Sequence, residues 1–478
     1  MKIALFGNYI FAKCVAEILD SRYSLMCFCN NIQDDNKYGK GIQQYASENN
    51  IKYKVGTREQ HIKAMEEFEP DYILAIAYKN IIPVKDRLIY GIHLGGICGH
   101  SAIRGKNSLS WYKLRGIENA KVSLYRYTMN NIDVGNVVSQ IEFPISSDDN
   151  ININSEIECI KFLTKFIVDK NFRLSDFENE FSDKVIGSYY PKVIEEVNGC
   201  CLEEKDSEKL LNAKINIKNG IFTEQKIVFN KNEEQVYQYC SGEEDIKNIL
   251  FLHGFASSIP NDKTKKLSCL LEGIKINVPL VKGINREYCN GLQDYCEVFE
   301  QMEMLIDNYN LRETIIVCSS VSSLLLCEHL KNLYDVKGII FVTPIFNLAE
   351  NAFDDMLKKV VENGLNEEQF EFTKPYYKGC KMSKQFVEKL KSIDLLTNIE
   401  KNDCIKSKLY FIFAKEDSNI EEQKWRKKCI DADIPLNNVN TIDGNHSFGD
   451  IQQLFYLACL ITAIFENFLE IGSIIIVK

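Results

Sequence analysis

The stretch Gly91–Trp111, GIHLGGICGHSAIRGKNSLSW, holds two of the chain's six histidines in a glycine-rich run. Glycine is used where a backbone bends sharply or comes close to another group, so a ligand is one candidate for the neighbour of this loop. His93 ends a short apolar run, and its imidazole titrates near neutral pH, which suits proton transfer. The stretch therefore predicts acid–base chemistry on a small molecule.

The residues around this stretch carry further motifs in a fixed order. An Arg-Gly pair follows in the loop, then a helix with Trp111, a strand KVSLYRY, and the turn Asp133–Gly135. This succession resembles the folate-dependent formyltransferase family. The upstream segment PDYILAIAYKNIIP resembles the strand and loop that line the family's folate pocket, and SYYPK resembles a segment that closes its catalytic domain. The resemblance covers roughly residues 1–205.

The resemblance implies transfer of a formyl group from 10-formyltetrahydrofolate to an amine. His93 is then the proton-transfer group, and Asp133 orients it or stabilises its charge. It also implies binding positions on the neighbouring loops, for the formyl donor at Ala77, Tyr78, Ile82 and Asp133, and for substrate at Arg104 and Asn107. Arg104 as a simple loop anchor and Asp133 as a turn former remain alternatives.

One position departs from the family. Many members carry an asparagine two residues before the histidine, and its amide donates a hydrogen bond to the formyl oxygen; here that residue is Gly91. Loss of one such donor costs roughly 10²–10³ in rate. A glycine N–H, a water or Asn107 are the substitutes considered. Of the other histidines, His100 is interpreted as a loop residue and His61 as a solvated residue on a helix.

The second half of the chain holds another set of polar side chains that follow strand-like runs. His253 and Gly254 follow NILFL, Ser320 follows IIVCS and precedes an apolar helix, Asp417 ends FIFAKED, and His446 lies in IDGNHSF. These motifs, in this order, resemble the α/β-hydrolase superfamily over about residues 240–470.

This second resemblance implies a catalytic triad. A serine hydroxyl is a poor nucleophile until an imidazole takes its proton, and a carboxylate fixes the tautomer of that imidazole. Ser320, His446 and Asp417 take those three roles. The oxyanion hole and its loop are assigned to Val321, His253, Gly254 and Phe255.

The hydrolase motif also has departures and alternatives. Its elbow glycines are replaced by Cys318 and Ser322, although a strained turn favours glycine. Ser319 is an alternative nucleophile and Glu416 an alternative acid. An inactive hydrolase scaffold is the alternative for the whole domain. His329, on the helix after the elbow, is interpreted as a packing residue.

The elements that position these residues read as two α/β series. In the first third, the strand candidates KIALFG, YSLMCFC and PDYILAIAY alternate with the helix candidates AKCVAEILDS, GIQQYASENN and HIKAMEEFE. The pattern is typical of a doubly wound sheet. Only one glycine follows the first strand, where a dinucleotide fingerprint needs three, so a nicotinamide or flavin cofactor is not favoured.

A second series runs through NILFLHGF, KINVPLV, ETIIVCSS, KGIIFVTP and KLYFIFAKED. The fold class predicted is α/β with two tandem domains. A Rossmann-like formyltransferase domain spans 1–205 and an α/β-hydrolase domain spans 241–478. Between them, 206–240 is a charged connecting region with short strand candidates that suggest surface hairpins.

Length and composition limit the functions to consider. A chain of 478 residues exceeds what one core usually supports, which favours two domains. The net charge of -10 argues against a broad basic surface for nucleic acid. The 17 cysteines show no zinc-type spacing and no signal peptide precedes them, so we expect buried, reduced thiols in a cytoplasmic protein and no metal. The apolar run LFYLACLITAIF is too short to span a bilayer.

Together these observations predict a bifunctional cytoplasmic enzyme. Its first domain formylates an amino sugar or small amino metabolite, and its second hydrolyses or transfers an acyl group of an ester, thioester or amide. The partners expected are these small molecules, without nucleic acid or membrane; a homo-oligomer stays open. The alternatives are a methionyl-tRNA formyltransferase, a folate hydrolase that releases formate, and a chain in which one domain is a catalytically dead binding module.

Overall fold

The computed structural model describes residues 1–31, 35–78, 80, 82, 88–99, 102–127, 135–174, 177, 188–191, 196–197, 200–201, 222–229, 232–239, 247–259, 261–271, 273–286, 289–364 and 367–466. The chain divides into two compact units, the first formed mainly by Met1–Val193 and the second mainly by Glu208–Phe468. Both are mixed α/β structures, which confirms the predicted fold class.

Apolar runs in the first unit form the central strands, such as β1 and β5, and amphipathic segments form helices such as α1. The strands are β1 (Lys2–Gly7), β2 (Ser24–Asn30), β3 (Lys52–Gly56), β4 (Tyr72–Ile76), β5 (Ile89–His93), β6 (Ile103–Gly105), β7 (Asn119–Tyr127), β8 (Gly135–Pro144) and β9 (Ser188–Tyr190). The helices are α1 (Tyr9–Asp20), α2 (Ile42–Glu48), α3 (Arg58–Phe68), α4 (Ser108–Leu114) and α5 (Asp149–Asp169).

Seven of these strands form one sheet in the order β3-β2-β1-β4-β5-β7-β8. The pairs from β3 to β5 are parallel, and β7 and β8 are antiparallel additions. Strands with fully buried runs, such as β1, suit the centre of a parallel sheet covered on both faces. The carboxyl ends of β1, β4 and β5 therefore share one edge, where ligands of open α/β sheets bind, and His93 lies on that edge.

The second unit contains the remaining elements. Its strands are β10 (Glu196–Val197), β11 (Cys200–Cys201), β12 (Phe222–Phe229), β13 (Asn232–Tyr239), β14 (Lys247–Leu252), β15 (Ile274–Pro279), β16 (Thr314–Ser319), β17 (Gly338–Val342), β18 (Gln369–Glu371), β19 (Lys381–Ser383), β20 (Leu409–Ala414) and β21 (Val439–Ile442). Its helices are α6 (Asp262–Leu270), α7 (Tyr295–Asp307), α8 (Ser322–Cys327), α9 (Asp355–Asn363), α10 (Lys384–Lys391), α11 (Leu395–Glu400), α12 (Glu422–Asp431) and α13 (Ile451–Phe465).

An eight-stranded sheet in the order β12-β13-β15-β14-β16-β17-β20-β21 organises this unit. Six strands of this sheet are parallel, as the sequence predicts: β15, β14, β16, β17, β20 and β21. The hairpin β12–β13 joins them through antiparallel pairing of β13 with β15. This hairpin lies wholly within the region 206–240 expected to connect the domains, yet its backbone hydrogen bonds make it part of the sheet. The loops after β14, β16, β20 and β21 carry all the residues predicted for hydrolysis.

The late apolar run forms α13, which begins at a capping box made by Asp450 and Gln453 and packs in the interior. Across the part of the chain that the structure describes, no helix combines the length and apolar character needed to cross a membrane. Of the cysteines whose side chains the structure describes, all are free thiols; Cys296 and Cys404 are exposed, and the others are buried.

Candidate active sites

Ser320 occupies a sharp turn between a strand and a helix. β16 ends at Ser319 and α8 begins at Ser322. Ser320 has φ 56°, a left-handed conformation that is costly for a residue with a side chain and is found at strained functional turns. Its N–H donates to the Val342 carbonyl at 3.1 Å, and its carbonyl accepts from the Ser323 N–H at 3.1 Å. The turn is thus fixed from both sides.

The imidazole of His446 joins this serine to an acid. Its Nε2 lies 2.9 Å from Ser320 Oγ, and its Nδ1 lies 2.7 Å from Asp417 Oδ2. The other carboxylate oxygen of Asp417 accepts the Asn419 N–H at 2.8 Å, and the side chain is only 2% exposed. Because Nδ1–H donates to the carboxylate, Nε2 keeps a lone pair for the serine proton.

The same geometry separates the alternatives that the sequence leaves open. The hydrogen bonds of the His446 imidazole go to Ser320 and Asp417. They therefore favour these two residues over their neighbours Ser319 and Glu416, which were the alternative nucleophile and the alternative acid. Glu416 has an exposed side chain, and its backbone N–H donates to the Gly444 carbonyl at 2.9 Å. That bond ties the loop of the acid to the loop of His446. Glu416 therefore acts through its backbone in this arrangement.

Two backbone N–H groups next to Ser320 are available for an oxyanion. Among the residues that the structure describes, neither Phe255 nor Val321 donates a backbone hydrogen bond. A Cβ built on Gly254 would lie 3.3 Å from Ser320 Cβ, so the loop after β14 runs directly against Ser320. Backbone N–H groups beside a nucleophile are the kind of donor that the oxyanion holes of acyl-transfer enzymes use.

His253 bonds only to backbone atoms, although the sequence groups it with the oxyanion and substrate residues. Its Nε2 accepts the Val281 N–H at 3.2 Å, and its Nδ1 lies 2.9 Å from the Gly254 carbonyl, to which it donates. Burial lowers the pKa of His253 to about 4, so the ring is neutral. This imidazole positions the loop that carries Phe255.

The residues that replace the elbow glycines are both accommodated. Cys318 is buried in the core of the second unit. Ser322 is also buried, and its hydroxyl lies 2.7 Å from the His253 carbonyl and 2.8 Å from the Ser319 carbonyl. Ser322 thereby connects the turn at Ser320 to the loop after β14, a contact that the sequence did not indicate.

An aromatic tetrad formed by Phe255, Phe353, Phe372 and Tyr377 packs beside the oxyanion loop. Every pair of these rings is in contact, with centroid separations from 4.7 Å for Phe255–Phe372 to 5.8 Å for Phe255–Tyr377. Burial, with the nearby carboxylates including Asp417, raises the pKa of Tyr377. The tetrad gives the site an apolar side. Sequence reasoning missed it because its members come from separate loops.

In the first unit, His93 is the last residue of β5. Its side chain is buried, and its Nε2 lies 3.3 Å from the Ile103 carbonyl. A Cβ built on Gly95 would lie 2.5 Å from this Nε2, so only glycine lets the loop pass so close to the imidazole. The glycine-rich run therefore passes directly against the His93 imidazole, as close approach of a glycine backbone allows.

The other predicted residues of this unit lie in different environments. Arg104 is fully buried on β6, which pairs with β9. Asn107 is exposed, with φ 54°, immediately before α4. Asp133 and His100 lie outside the described residues.

At the end of β4, Ala77 has φ 48°, and its carbonyl accepts from Asn8 Nδ2 at 2.6 Å. The Tyr78 hydroxyl lies 2.6 Å from His61 Nδ1, and Ile82 is buried in the core. Ala77, Tyr78 and Ile82, the positions assigned to the formyl donor, thus each make a contact within the first unit.

The interpretation of His61 as a solvated residue is wrong. Its ring is fully buried between α3 and the sheet, with the rings of Phe6 and Phe28 at its edge. Desolvation lowers the pKa of His61. The face of α3 that carries His61 and Met65 packs inward, and the Tyr78 hydroxyl satisfies one ring nitrogen. Because the polar partner of His61 lies on a distant loop, the local sequence does not indicate this burial.

Comparisons with known proteins give the following likenesses. The model of the Uncharacterised protein family (UPF0227) matches residues 248–459. The comparison with curated protein sequences finds no match.

Among the described residues, no group of three or more His, Cys, Asp or Glu side chains could hold a metal ion.

Solved structures similar to the N-terminal part include sugar N-formyltransferases, and those similar to the C-terminal part include thioesterases and other hydrolases. An N-formyltransferase from Helicobacter canadensis, in complex with folinic acid and dTDP-3-aminofucose, is 17% identical; the match covers 49% of this chain and 87% of that chain, with a TM-score of 0.33.

A thioesterase domain from the curacin biosynthetic pathway is 12% identical, covering 50% of this chain and 99% of that chain, with a TM-score of 0.37. A monoglyceride lipase variant from Saccharomyces cerevisiae is 13% identical, covering 54% and 98%, with a TM-score of 0.39. The chain is similar to a formyltransferase in one part and to α/β hydrolases in the other, and its own geometry carries the functional proposal.

Proposed function

We propose that the second unit is a serine hydrolase or acyltransferase that acts on an ester, thioester or amide. The observation that supports it is the imidazole of His446, which contacts Ser320 Oγ through one nitrogen and Asp417 through the other. A buried carboxylate, an oriented imidazole and a strained serine form the constellation that activates a hydroxyl for nucleophilic attack.

The reaction proceeds in two steps. Ser320 Oγ attacks the substrate carbonyl carbon while His446 Nε2 accepts the hydroxyl proton, and the N–H groups of Phe255 and Val321 stabilise the oxyanion. His446 then gives the proton to the leaving group as its bond to the carbonyl carbon breaks, which leaves the acyl group on Ser320. Water or another acceptor attacks this ester, its proton passes to His446, and Ser320 Oγ regains a proton as the acyl–oxygen bond breaks.

A panel of 4-nitrophenyl esters and acyl thioesters of increasing chain length tests this activity. We expect turnover by the wild-type chain, its loss in Ser320→Ala, and its retention in Ser319→Ala, which removes the neighbouring hydroxyl. Equal activity in Ser320→Ala and the wild type would contradict the assignment. If no substrate of the panel is turned over by a folded wild type, the unit is the inactive scaffold that the sequence left as an alternative.

We further propose that the first unit is an N-formyltransferase whose formyl donor is 10-formyltetrahydrofolate and whose acceptor is an amino sugar or small amino metabolite. The order of motifs from His93 to Gly135 supports it, together with the glycine loop that closes over the His93 imidazole. When bound, the folate supplies the formyl group. His93, buried at the ligand-binding edge of the sheet, accepts the proton that the attacking amine loses, and Asp133 orients this imidazole.

Formyl transfer is tested by incubating the protein with 10-formyltetrahydrofolate and a panel of nucleotide-linked amino sugars, amino acids and small amines. Mass spectrometry should detect the gain of one formyl group on one class of acceptor. Free formate released at the turnover rate without acceptor would indicate a folate hydrolase instead. Formylation of charged tRNA that weakens steeply with salt would indicate a tRNA formyltransferase.

A further inference from the structure

We propose that the hydroxyl of Tyr125 donates the hydrogen bond to the formyl oxygen that an asparagine at position 91 would otherwise provide. This inference rests on the proposed formyltransferase activity of the first unit and names a further catalytic residue for it. Formyl transfer places negative charge on the formyl oxygen, so a donor aimed at that oxygen is needed beside the proton-transfer group.

The pairing of β5 and β7 places Tyr125 on the same side of the sheet as His93. Gly91 is paired with Tyr125, and His93 is paired with Ser123. Residues directly opposite each other in an antiparallel pair project from the same face, and so do residues two apart in one strand. Gly91, His93 and Tyr125 therefore share one face.

The tyrosine ring fills the space that a side chain at position 91 would occupy. A Cβ built on Gly91 would lie 2.5 Å from Cε1 and Cζ of Tyr125 and 2.8 Å from its hydroxyl oxygen. On the other side of the ring, a Cβ built on Gly135 would lie 3.1 Å from Cδ2. Glycines on both neighbouring strands thus leave room for one ring, and both belong to the motifs that the sequence singled out.

The ring also contacts the loop that follows His93. Tyr125 is 4% exposed and packs with Ile97 and Val137 in one buried cluster. Ile97 belongs to the glycine-rich run after His93, so the ring of Tyr125 packs with the same loop that passes the imidazole. Asn107, one of the three substitutes that the sequence offers, is exposed immediately before α4.

A phenolic hydroxyl can replace an amide as the oxyanion donor. The phenol O–H is a hydrogen-bond donor at neutral pH, and tyrosine is one of the side chains that form oxyanion holes. Its ring is held by packing, so the donor is fixed before the formyl group arrives. The apparent loss of a catalytic group at Gly91 is then an exchange of one donor for another.

The test compares Tyr125→Phe with Tyr127→Phe. Tyr127 lies two residues further from His93 along β7, and its ring centroid is 6.1 Å from that of Tyr125. We expect Tyr125→Phe to lower kcat for formyl transfer roughly 10²-fold, with the Kd for folinic acid by calorimetry unchanged, and Tyr127→Phe to leave kcat within about threefold of the wild type. An unchanged kcat in Tyr125→Phe would overturn the assignment.

A second variant separates the role of the hydroxyl from that of the ring. Gly91→Asn alone should be inactive because its side chain meets the tyrosine ring, whereas Gly91→Asn with Tyr125→Ala should recover most of the kcat lost in Tyr125→Ala. Failure of this rescue in a folded double variant that binds folinic acid would contradict the exchange of donors. A wild-type chain that neither formylates any amine nor binds folinic acid would instead refute the formyltransferase proposal itself.

Discussion

Replacement of Asp417 by asparagine should nearly abolish turnover in the second unit, for a reason visible in its hydrogen bonds. Asp417 Oδ1 accepts the Asn419 N–H at 2.8 Å, so an asparagine at 417 would keep its carbonyl oxygen there. Its NH₂ group would then face His446 Nδ1, at the position where Oδ2 now lies 2.7 Å away. The amide would donate to Nδ1, and the ring proton would move to Nε2.

An imidazole protonated at Nε2 cannot accept the proton of Ser320. Exchange of aspartate for asparagine in such a triad lowers kcat by roughly 10⁴-fold, equivalent to about 5 kcal/mol of activation free energy. The variant should keep the fold, because the side chain retains its volume and its bond to Asn419.

The assay is kcat for the best 4-nitrophenyl ester, measured for the wild type, Asp417→Asn and the matched control Glu416→Gln. Circular dichroism and Tm verify folding. Glu416→Gln should stay within about threefold of the wild type, because the Glu416 side chain is exposed and only its backbone holds the His446 loop. An Asp417→Asn enzyme within tenfold of the wild type would refute the proposed tautomer and the role of the carboxylate.

Three further predictions concern stability and the first unit. His253 and His329 are buried with pKa values lowered by desolvation to about 4, so the unfolded chain binds protons that the folded chain does not between pH 6.5 and 4. The free energy of unfolding should therefore fall by about 2 kcal/mol per histidine between pH 7.5 and pH 5. In urea unfolding, His329→Leu should show a smaller fall over this pH range than the wild type. The same pH dependence in the variant and the wild type would count against a neutral His329 in the folded chain. Ser322→Ala should destabilise the chain by about 1–3 kcal/mol in the same assay, since it removes the hydroxyl donor to buried carbonyls, and an unaltered stability would speak against its bridging role. His93→Ala should abolish formyl transfer while folinic acid still binds, and retained transfer would reject His93 as the proton acceptor.

Much of the architecture could be predicted because long apolar runs dictate buried parallel strands. KIALFG and ETIIVCSS contain β1 and β16, and the polar residues directly after such strands lie at one edge of a sheet by topology alone. Ser320, Asp417 and His446 could therefore be expected to meet, since each follows the end of a parallel strand. Their hydrogen bonds show that they do.

What the sequence could not provide were contacts between residues distant in the chain. The buried ring of His61 has its polar partner at Tyr78, and the buried, neutral ring of His253 accepts the Val281 N–H from another loop. The position of the Tyr125 ring over Gly91 follows from the register between β5 and β7. A shift of that register by one residue would move the ring to the other face of the sheet. The hairpin β12–β13 has charged residues of a surface type, so its place in the sheet becomes evident only from its pairing with β15.

The central claim is that Ser320 is an activated nucleophile, and covalent labelling tests it most directly. A fluorophosphonate probe should add once to the folded wild-type chain, with peptide mass spectrometry locating the adduct on Ser320 and with no labelling in Ser320→Ala. An adduct on a different residue, or an unlabelled wild-type chain whose fold is intact, would contradict the account.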